Sequence, residues 1–341
     1  MIQDETWMQV AIDEAHRGIG KTAPNPPVGA VIVRDGVLIG KGWHKKAGQP
    51  HAEREAIADV VSRHGADALR GATAYVTLEP CSTYGRTPPC VNGLIEAGIR
   101  RVVYACEDPN PAHAGRANDL LEVAGIAVES GVLRNEAGKI LRPFAKTQRT
   151  GLPWVIAKVA MSLDGRITRP HGESSWLSSP ASRDDVQRLR AEVDAIITSG
   201  ETVRRDLPAL TIRHAHLLDG RLQPWRVVMT RTPQSLPENA PLFVDEFRDR
   251  TMVCGSEPES MLRDLVKQQG VLSVMIEAGG QLLAEFMHRG LVDECVIYLA
   301  PMVTGGLPAI AGMKDLDLTL EEADWQVIGN DVKLRALVRK A

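Results

Sequence analysis

The chain has 341 residues, of which 44% are hydrophobic and 24% charged, and its formal net charge is −3. That length exceeds what one core usually serves and points to two domains, each able to bury a core. The slightly acidic balance, with no long run of Lys or Arg, excludes a protein held to nucleic acid mainly by phosphate neutralisation, and no run of about 18 apolar residues is present to span a membrane.

The acidic start Met1-Ile2-Gln3-Asp4-Glu5 lacks the apolar segment of a signal peptide, so a cytoplasmic location is expected. In that reducing compartment Cys81, Cys90, Cys106, Cys254 and Cys295 are expected as free thiols, available to a metal, and Cys106 reads as a core strand residue. Residues 6–17 place Trp7, Met8, Ala11, Ile12 and Ala15 on one helical face, and Gly18-Ile19-Gly20 ends that helix. A Pro-rich loop follows. Val28–Val33 and Val37–Trp43 then flank Asp35-Gly36, a two-residue signal for a tight hairpin. A helix over 52–61, a strand over 73–79, a helix over 89–97, a strand over 101–106, a helix over 117–124 and a short strand over 126–129 complete an α/β layer domain. A polar stretch around Lys146–Gly151 marks the boundary, giving a first domain over 1–146, a linker over 147–152 and a second domain over 153–341.

The second half restarts with a strand at Trp154–Met161. A helix opens at Ser179-Pro180, where Ser suits the N-cap and Pro the first helical position. Strands at 195–198, 226–230, 251–254, 271–277 and 294–299 alternate with helices near 257–268 and 281–289, which is a second α/β domain.

The chemistry of the first half is carried by His51-Ala52-Glu53 at a helix start, Pro80-Cys81 after a strand and Cys90 at the mouth of the next helix. Singly, these read as a core histidine, a solvated carboxylate and two buried thiols. Together they supply one imidazole, two thiolates and a carboxylate. Catalytic zinc takes three such protein ligands and keeps a position open for water, and the pattern follows the zinc nucleobase deaminase signature, with Glu as general acid/base. Eight residues separate the cysteines here, instead of two. A structural zinc would want a fourth ligand, for which His44 is the nearest candidate in sequence.

Thr22-Ala23-Pro24-Asn25-Pro26, His44, Pro50-His51-Ala52-Glu53, Glu79-Pro80-Cys81, Gly85-Arg86-Thr87-Pro88-Pro89-Cys90 and Asp108-Pro109-Asn110-Pro111 resemble the deaminase half of the bifunctional riboflavin deaminase/reductase family. The resemblance implies a cytidine deaminase-like three-layer fold in which His51, Cys81 and Cys90 hold Zn²⁺. It further implies that Glu53 acts on protons and that Asn25, His44, Arg86, Asp108 and Asn110 contact a pyrimidine bearing a ribose phosphate. Thr83 departs from the pattern, since relatives often carry His there.

No Gly-x-Gly-x-x-Gly follows a strand beyond residue 150, so a Rossmann fingerprint is absent. Lys158 interrupts the apolar strand Trp154–Ala160, and a buried lysine is costly unless paired or functional. Glu277-Ala278-Gly279-Gly280 lies between a strand and a helix, where small residues allow close approach of a ligand or of neighbouring backbone. Ala157–Gly165, Gly172–Trp176, Leu189-Arg190-Ala191, Asp206–Arg213 and Leu291–Glu294 are similar to the reductase half of the same family, which has a dihydrofolate reductase-like fold. By that resemblance Ala160, Trp176, Ser178, Thr202, Asp206, Gly279, Gly280 and Gln281 line an NADPH site. Ser174, Arg190, Leu210, Arg213 and Glu277 would hold substrate, and Lys158 would orient the reactants. Arg204 or Arg205 suits the cofactor's additional phosphate. Glu201 departs from the family's small residue, and its carboxylate is expected to repel cofactor phosphates.

The implied function is two consecutive steps of riboflavin biosynthesis. The first is zinc-dependent hydrolytic deamination of a phosphoribosylaminopyrimidine; the second is NADPH reduction of its ribosyl group to ribityl. The expected partners are small molecules and further copies of the same chain, with no nucleic acid and no membrane. Two other classes stand beside this reading. One is a paralogue with an active deaminase and a silent or altered reductase, and the other is a non-catalytic nucleotide sensor with structural zinc, against which Glu53 argues.

Overall fold

The computed structural model describes residues 2–84, 88–110, 113–170, 176–255, 257–312 and 317–339. The chain divides into two compact units, Met1–Gly151 and Leu152–Ala341.

The first unit opens with α1 (Ile2–His16) and the hairpin β1 (Gly29–Arg34) and β2 (Val37–Trp43). Asp35 and Gly36 both take positive φ, 50° and 75°, which is the geometry a two-residue hairpin requires and Asp-Gly tolerates. Next come α2 (Ala52–His64), β3 (Thr73–Leu78), α3 (Cys90–Glu96), β4 (Arg101–Cys106), α4 (Arg116–Val123), β5 (Ala127–Ser130) and α5 (Arg134–Thr150). The sheet order is β2-β1-β3-β4-β5, with β1 antiparallel to both neighbours and β3, β4 and β5 parallel. Alternation along β1 sends Val31 and Val33 to a core with Met8, Ala11 and Ile140, while Ala30 and Ile32 meet Ala56, Val60, Val91 and Leu121 on the opposite face. Helices thus cover both faces.

Two glycines fix how closely α2 lies on the sheet. A Cβ at Gly40 would stand 2.3 Å from Val60 Cγ2, and one at Gly42 would stand 2.4 Å from the Ala56 nitrogen. This contact sets the position of the start of α2, and with it His51 and Glu53.

The sequence reading gave no helix over 134–150. Ala137, Ile140 and Leu141 are buried there, but polar side chains and Pro143 obscure the period. The expected linker at 147–152 is corrected accordingly: α5 continues through Thr150, and Gly151 closes it in a left-handed conformation at φ 68°. The hydroxyls of Thr147 and Thr150 donate to the carbonyls of Pro143 and Lys146, so polar residues here serve the helix.

The second unit contains β6 (Trp154–Ser162), α6 (Pro180–Glu192), β7 (Ala195–Ser199), α7 (Gly200–Asp206) and the single-turn α8 (Ala215–Leu218). Then follow β8 (Trp225–Met229), the single-turn α9 (Pro241–Val244), β9 (Thr251–Cys254), α10 (Pro258–Gln269), β10 (Ser273–Ile276) and α11 (Gly280–His288). The unit ends with β11 (Glu294–Ala300), β12 (Thr319–Ile328) and β13 (Asp331–Arg339). Among the described residues the sheet runs β12-β13-β11-β6-β10-β7-β8-β9, parallel from β11 to β9 and antiparallel at the β12–β13–β11 end. Helix α6 packs Val186 and Leu189 on one face; α10 and α11 pack Leu262, Leu265, Leu283 and Phe286 on the other. The hairpin β12–β13 was not read from the sequence, although Gly329-Asn330 between Ile328 and Asp331 is a two-residue turn signal and Leu334 and Ala336 alternate as a half-buried strand should.

Helix α6 begins as its sequence indicates. Ser179 Oγ accepts from the Ser182 nitrogen at 3.3 Å with Pro180 in the first position. Ser179→Ala is expected to lower the stability of this unit by about 1 kcal/mol, read from the denaturant midpoint; no shift would show the cap to be redundant. No helix among the described residues is long and apolar enough to cross a membrane.

Candidate functional site

Three element ends converge in the first unit. His51 is the N-cap of α2, Cys81 follows the carboxyl end of β3, and Cys90 is the first residue of α3. His51 Nδ1 lies 3.5 Å from Cys81 Sγ and 3.4 Å from Cys90 Sγ, and the Cys90 nitrogen donates to Cys81 Sγ at 3.2 Å. All three donor atoms lie within 4.8 Å of one another. Zinc bonds of about 2.3 Å to sulfur and about 2.1 Å to nitrogen at a tetrahedral angle put such atoms about 3.6 Å apart, so the observed spacing fits a zinc ion without rearrangement. His44 is not a fourth ligand. Its Nδ1 faces the Pro50 carbonyl at 3.0 Å and its Nε2 faces Asn25 Nδ2 at 3.0 Å, so both ring nitrogens are engaged. With these three donors among the described residues, a bound zinc ion would keep a position open to water.

The electrostatics agree with a metal site. The Cys90 thiol donates to Cys81, and His51 adds its own hydrogen bond; together they outweigh burial and hold the Cys81 thiol well below the ordinary thiol range. Cys90 is pushed up, first by that same hydrogen bond and then by burial. One negative charge is thus shared by two sulfurs, and a divalent cation is what would ionise both. Glu53, on the first turn of α2, is 5% exposed, and burial followed by the Cys81 charge pushes its carboxyl up to about 7. A carboxyl balanced between its two forms near neutral pH suits proton transfer.

These groups open on a cavity of about 430 Å³ whose wall includes Asn25, His44, Asp108 and Asn110, all singled out from the sequence. Asn25 is oriented by His44, and the Asn110 nitrogen donates to Asp108 Oδ1 at 2.8 Å. Arg86 lies outside the described residues. Two polar wall residues have roles that the sequence does not assign. Glu79, buried, accepts from the backbone nitrogens of Asp108, Gly115 and Ala117 at 3.1, 3.1 and 3.2 Å and so anchors the loop that carries Asp108 and Asn110. His113 rides on that loop, with Nδ1 3.1 Å from Thr83 Oγ1. The position where the resemblance calls for an imidazole therefore touches one that arrives from another loop. Glu79 stands in the Glu79-Pro80-Cys81 motif without a role of its own, and His113 has neither a periodic nor a motif signal.

In the second unit, polar groups gather at the carboxyl ends of parallel strands, where open α/β sheets bind ligands. Lys158 lies on β6, an inner strand flanked by β11 and β10. Its Nζ stands 3.5 Å from Glu277 Oε2, just past β10. Arg190 of α6 forks onto Glu277 at 2.7 and 3.1 Å and also donates to the Thr211 carbonyl at 2.9 Å. Burial raises the Glu277 carboxyl, but the charges and hydrogen bonds of Arg190 and Lys158 outweigh it and hold the group at about 2. Two cations thus share one carboxylate, and a net positive charge remains. Leu210, buried, adopts φ 52°, a conformation costly for leucine, while Arg213 points outward with its nitrogen bonded to Gln187.

Ala160 lies on β6, Thr202 and Gly279 lie just beyond the carboxyl ends of β7 and β10, and Asp206 is the last residue of α7. The Thr202 hydroxyl meets Ser199 Oγ at 2.9 Å, Ser178 offers its carbonyl to Arg183, Trp176 is exposed beneath the Arg183 guanidinium, and Gln281 is exposed on α11. Ser174 lies outside the described residues. Gly280 meets the second of the two reasons its turn suggested, close approach of neighbouring backbone. A Cβ there would stand 2.6 Å from the Pro308 oxygen, so backbone packing rather than a ligand demands glycine, whereas a Cβ at Gly279 would meet Ile167 Cδ1 at an ordinary 4.0 Å. The repulsion expected from Glu201 is also corrected, since its carboxylate accepts from Arg205 at 2.6 Å and from Arg204 at 3.2 Å.

Residues 1–106 match the family model described as the cytidine and deoxycytidylate deaminase zinc-binding region, and residues 153–334 match the RibD C-terminal domain. The chain is 39% identical to the riboflavin biosynthesis protein RibD of Haemophilus influenzae, covering 97% of this chain and 96% of that one. It is 40% identical to its counterpart in Escherichia coli, covering 92% and 93%. Among solved structures it is similar to Acinetobacter baumannii RibD, with a TM-score of 0.89 and 40% identity over 99% of both chains. It also resembles a Thermotoga maritima diaminohydroxyphosphoribosylaminopyrimidine deaminase/5-amino-6-(5-phosphoribosylamino)uracil reductase, with a TM-score of 0.88 and 31% identity over 99% of both.

Proposed function

The chain belongs to the RibD family of bifunctional riboflavin-biosynthesis deaminase–reductases, and from that membership we propose that its first unit deaminates a phosphoribosylaminopyrimidine and its second reduces the product's ribosyl group to ribityl. The observation that carries the proposal is the convergence of His51, Cys81 and Cys90 beside a buried Glu53.

His51, Cys81 and Cys90 would hold zinc, which when bound supplies activation of water at neutral pH. Glu53 would pass one proton of the attacking water to the ring nitrogen and then the second, from the new hydroxyl, to the departing amine, which leaves as ammonia while a ring carbonyl forms. Asn25, fixed by His44, offers amide groups to the ring edge, and the Asp108–Asn110 loop, together with Arg86, takes the ribose phosphate. In the second unit NADPH would supply the hydride, against the wall formed by Ala160, Trp176, Ser178, Thr202, Asp206, Gly279, Gly280 and Gln281. Glu277 and Arg190, with Lys158, Ser174, Leu210 and Arg213, orient the opened sugar, and the excess positive charge favours a phosphorylated substrate. A cytoplasmic location and a homo-oligomer complete the proposal. The exposed edge strand Thr319–Ile328, with Trp325 and Val327 outward, supports association of identical chains.

The paralogue with a silent reductase loses one of its two motives, because the Glu201 charge is already paired with Arg204 and Arg205; the other is Thr83. The test is one trace: the diaminopyrimidine substrate is supplied with NADPH, and ammonia and nicotinamide absorbance are followed together. Equimolar ammonia release and NADPH consumption are expected. Ammonia without NADPH consumption would refute the reductase assignment, and neither signal would refute both.

Glu277→Gln gives a second expectation. The carboxyl titrates at an ordinary value of 4.5 in the unfolded chain and at about 2 in the fold. Its stabilising contribution is therefore fully present above 4.5 and is lost as pH falls through 2. Removing the charge leaves two cations unpaired, so the unit should lose about 3–5 kcal/mol at neutral pH. The gap from the wild type should narrow in denaturant melts taken at about pH 3; a gap independent of pH would show that Glu277 is not the anionic partner.

A further inference from the structure

The described wall of the deaminase cavity is acidic. Among its described wall residues there is no Lys or Arg, while Glu53, Glu79 and Asp108 all bring carboxyl groups to it. A substrate with a phosphate arm needs donors on that wall besides Arg86, which lies outside the described residues. Three imidazoles are present, and two are committed: His51 belongs to the ligand set, and His44 uses both nitrogens on Asn25 and Pro50.

His113 differs from both. Its Nδ1 meets Thr83 Oγ1 at 3.1 Å, and its Nε2 has no partner among the described residues. Its backbone nitrogen donates to the Asn110 carbonyl at 2.9 Å, and Glu79 pins both ends of the loop, so the ring is held from two sides. When the Thr83 hydroxyl donates to Nδ1, the proton of the neutral ring resides on Nε2, which then donates. Depth places this donor along the cavity. Glu53 and His44 are 5% and 2% exposed at the floor, whereas Thr83 and His113 are half-buried. The reacting ring carbon must reach the floor, so the sugar phosphate passes the level of His113.

We infer that His113, oriented by Thr83, donates a hydrogen bond to the ribose phosphate arm of the deaminase substrate and raises its affinity. The inference rests on the deaminase reading above and extends it to a residue with no assigned role.

The test uses the full zinc-loaded chain and two competitive inhibitors of deamination, ribose 5-phosphate and a triaminopyrimidinone without the sugar. In His113→Ala the inhibition constant of ribose 5-phosphate and the substrate KM are expected to rise about tenfold, the loss of one good hydrogen bond to a charged group. The kcat, the zinc content and the inhibition constant of the bare pyrimidine should stay within twofold of wild type, on the order of what a site-neutral change produces. Thr83→Val should shift the same two constants in the same direction by a smaller factor, and His113→Gln, which keeps an N–H donor, should recover part of the loss. Unchanged ribose 5-phosphate inhibition in both His113→Ala and Thr83→Val overturns the inference, as does a loss confined to the bare pyrimidine. Absence of deamination by the wild type would instead overturn the deaminase reading, which keeps the two failures distinct.

Discussion

Glu53→Gln keeps its zinc and loses deamination by a factor of about 10²–10⁴, the range a positioned general acid/base contributes. Three features of the site set this expectation. Glu53 is two residues beyond a ligand on the first turn of α2, so it faces the cavity without belonging to the ligand set. It is buried, and its carboxyl is raised to about 7, first by burial. Glutamine preserves the volume and the hydrogen-bonding reach but carries no exchangeable carboxyl proton. Metal analysis and ammonia release on the same preparation check the result. Ammonia release at the wild-type rate would remove Glu53 from the chemistry, and loss of zinc would turn it into a structural support for the ligand set.

Cys90→Ser has the opposite signature. A serine hydroxyl does not ionise near neutral pH, so the set falls to one imidazole and one thiolate, and the Cys81 sulfur loses the thiol that donates to it. Replacing groups that merely orient ligands costs about 10–100-fold in metal affinity, and removal of a ligand should exceed that. Zinc content and ammonia release are expected to fall together, while NADPH oxidation on the already deaminated pyrimidine persists, because the Lys158–Glu277–Arg190 group belongs to the other compact unit. Full zinc content in this variant would discredit the ligand set; loss of both activities would point to unfolding of the chain instead.

The zinc site was legible in advance because its chemistry depends on rare residue types at element ends, where local signals are strongest. His51 and Glu53 sit at a helix start, and Cys81 and Cys90 bracket one connection. The reductase group was legible only as odd residues. Lys158 stands out in an apolar strand, yet its partner lies 119 residues away, and Arg190 reads as an ordinary helix-surface arginine until the fold buries it on Glu277. Helix α5 was hidden by Pro143 and its polar side chains, whose hydroxyls turn out to bond the helix's own carbonyls. Arg226 shows the same limit. It sits in a core strand with its guanidinium fully buried on Asp245 and the carbonyls of Ala209 and Leu242, a pairing no local pattern announces.

By itself the sequence determined the two-domain α/β organisation, the Asp-Gly hairpin, the Ser179 cap and the three metal donors with their carboxylate. Each of these follows from periodicity or from the preferences of a few adjacent residues. Tertiary structure alone decided that His44 orients Asn25 instead of ligating metal, that Gly280 serves packing, that Glu201 is neutralised, and that Glu79 and His113 belong to the deaminase wall. The physical reason is one of range. Helix caps and strand alternation are settled within a few residues, but the charge state and partner of a polar side chain are settled by whichever distant groups the packed core brings within hydrogen-bond reach.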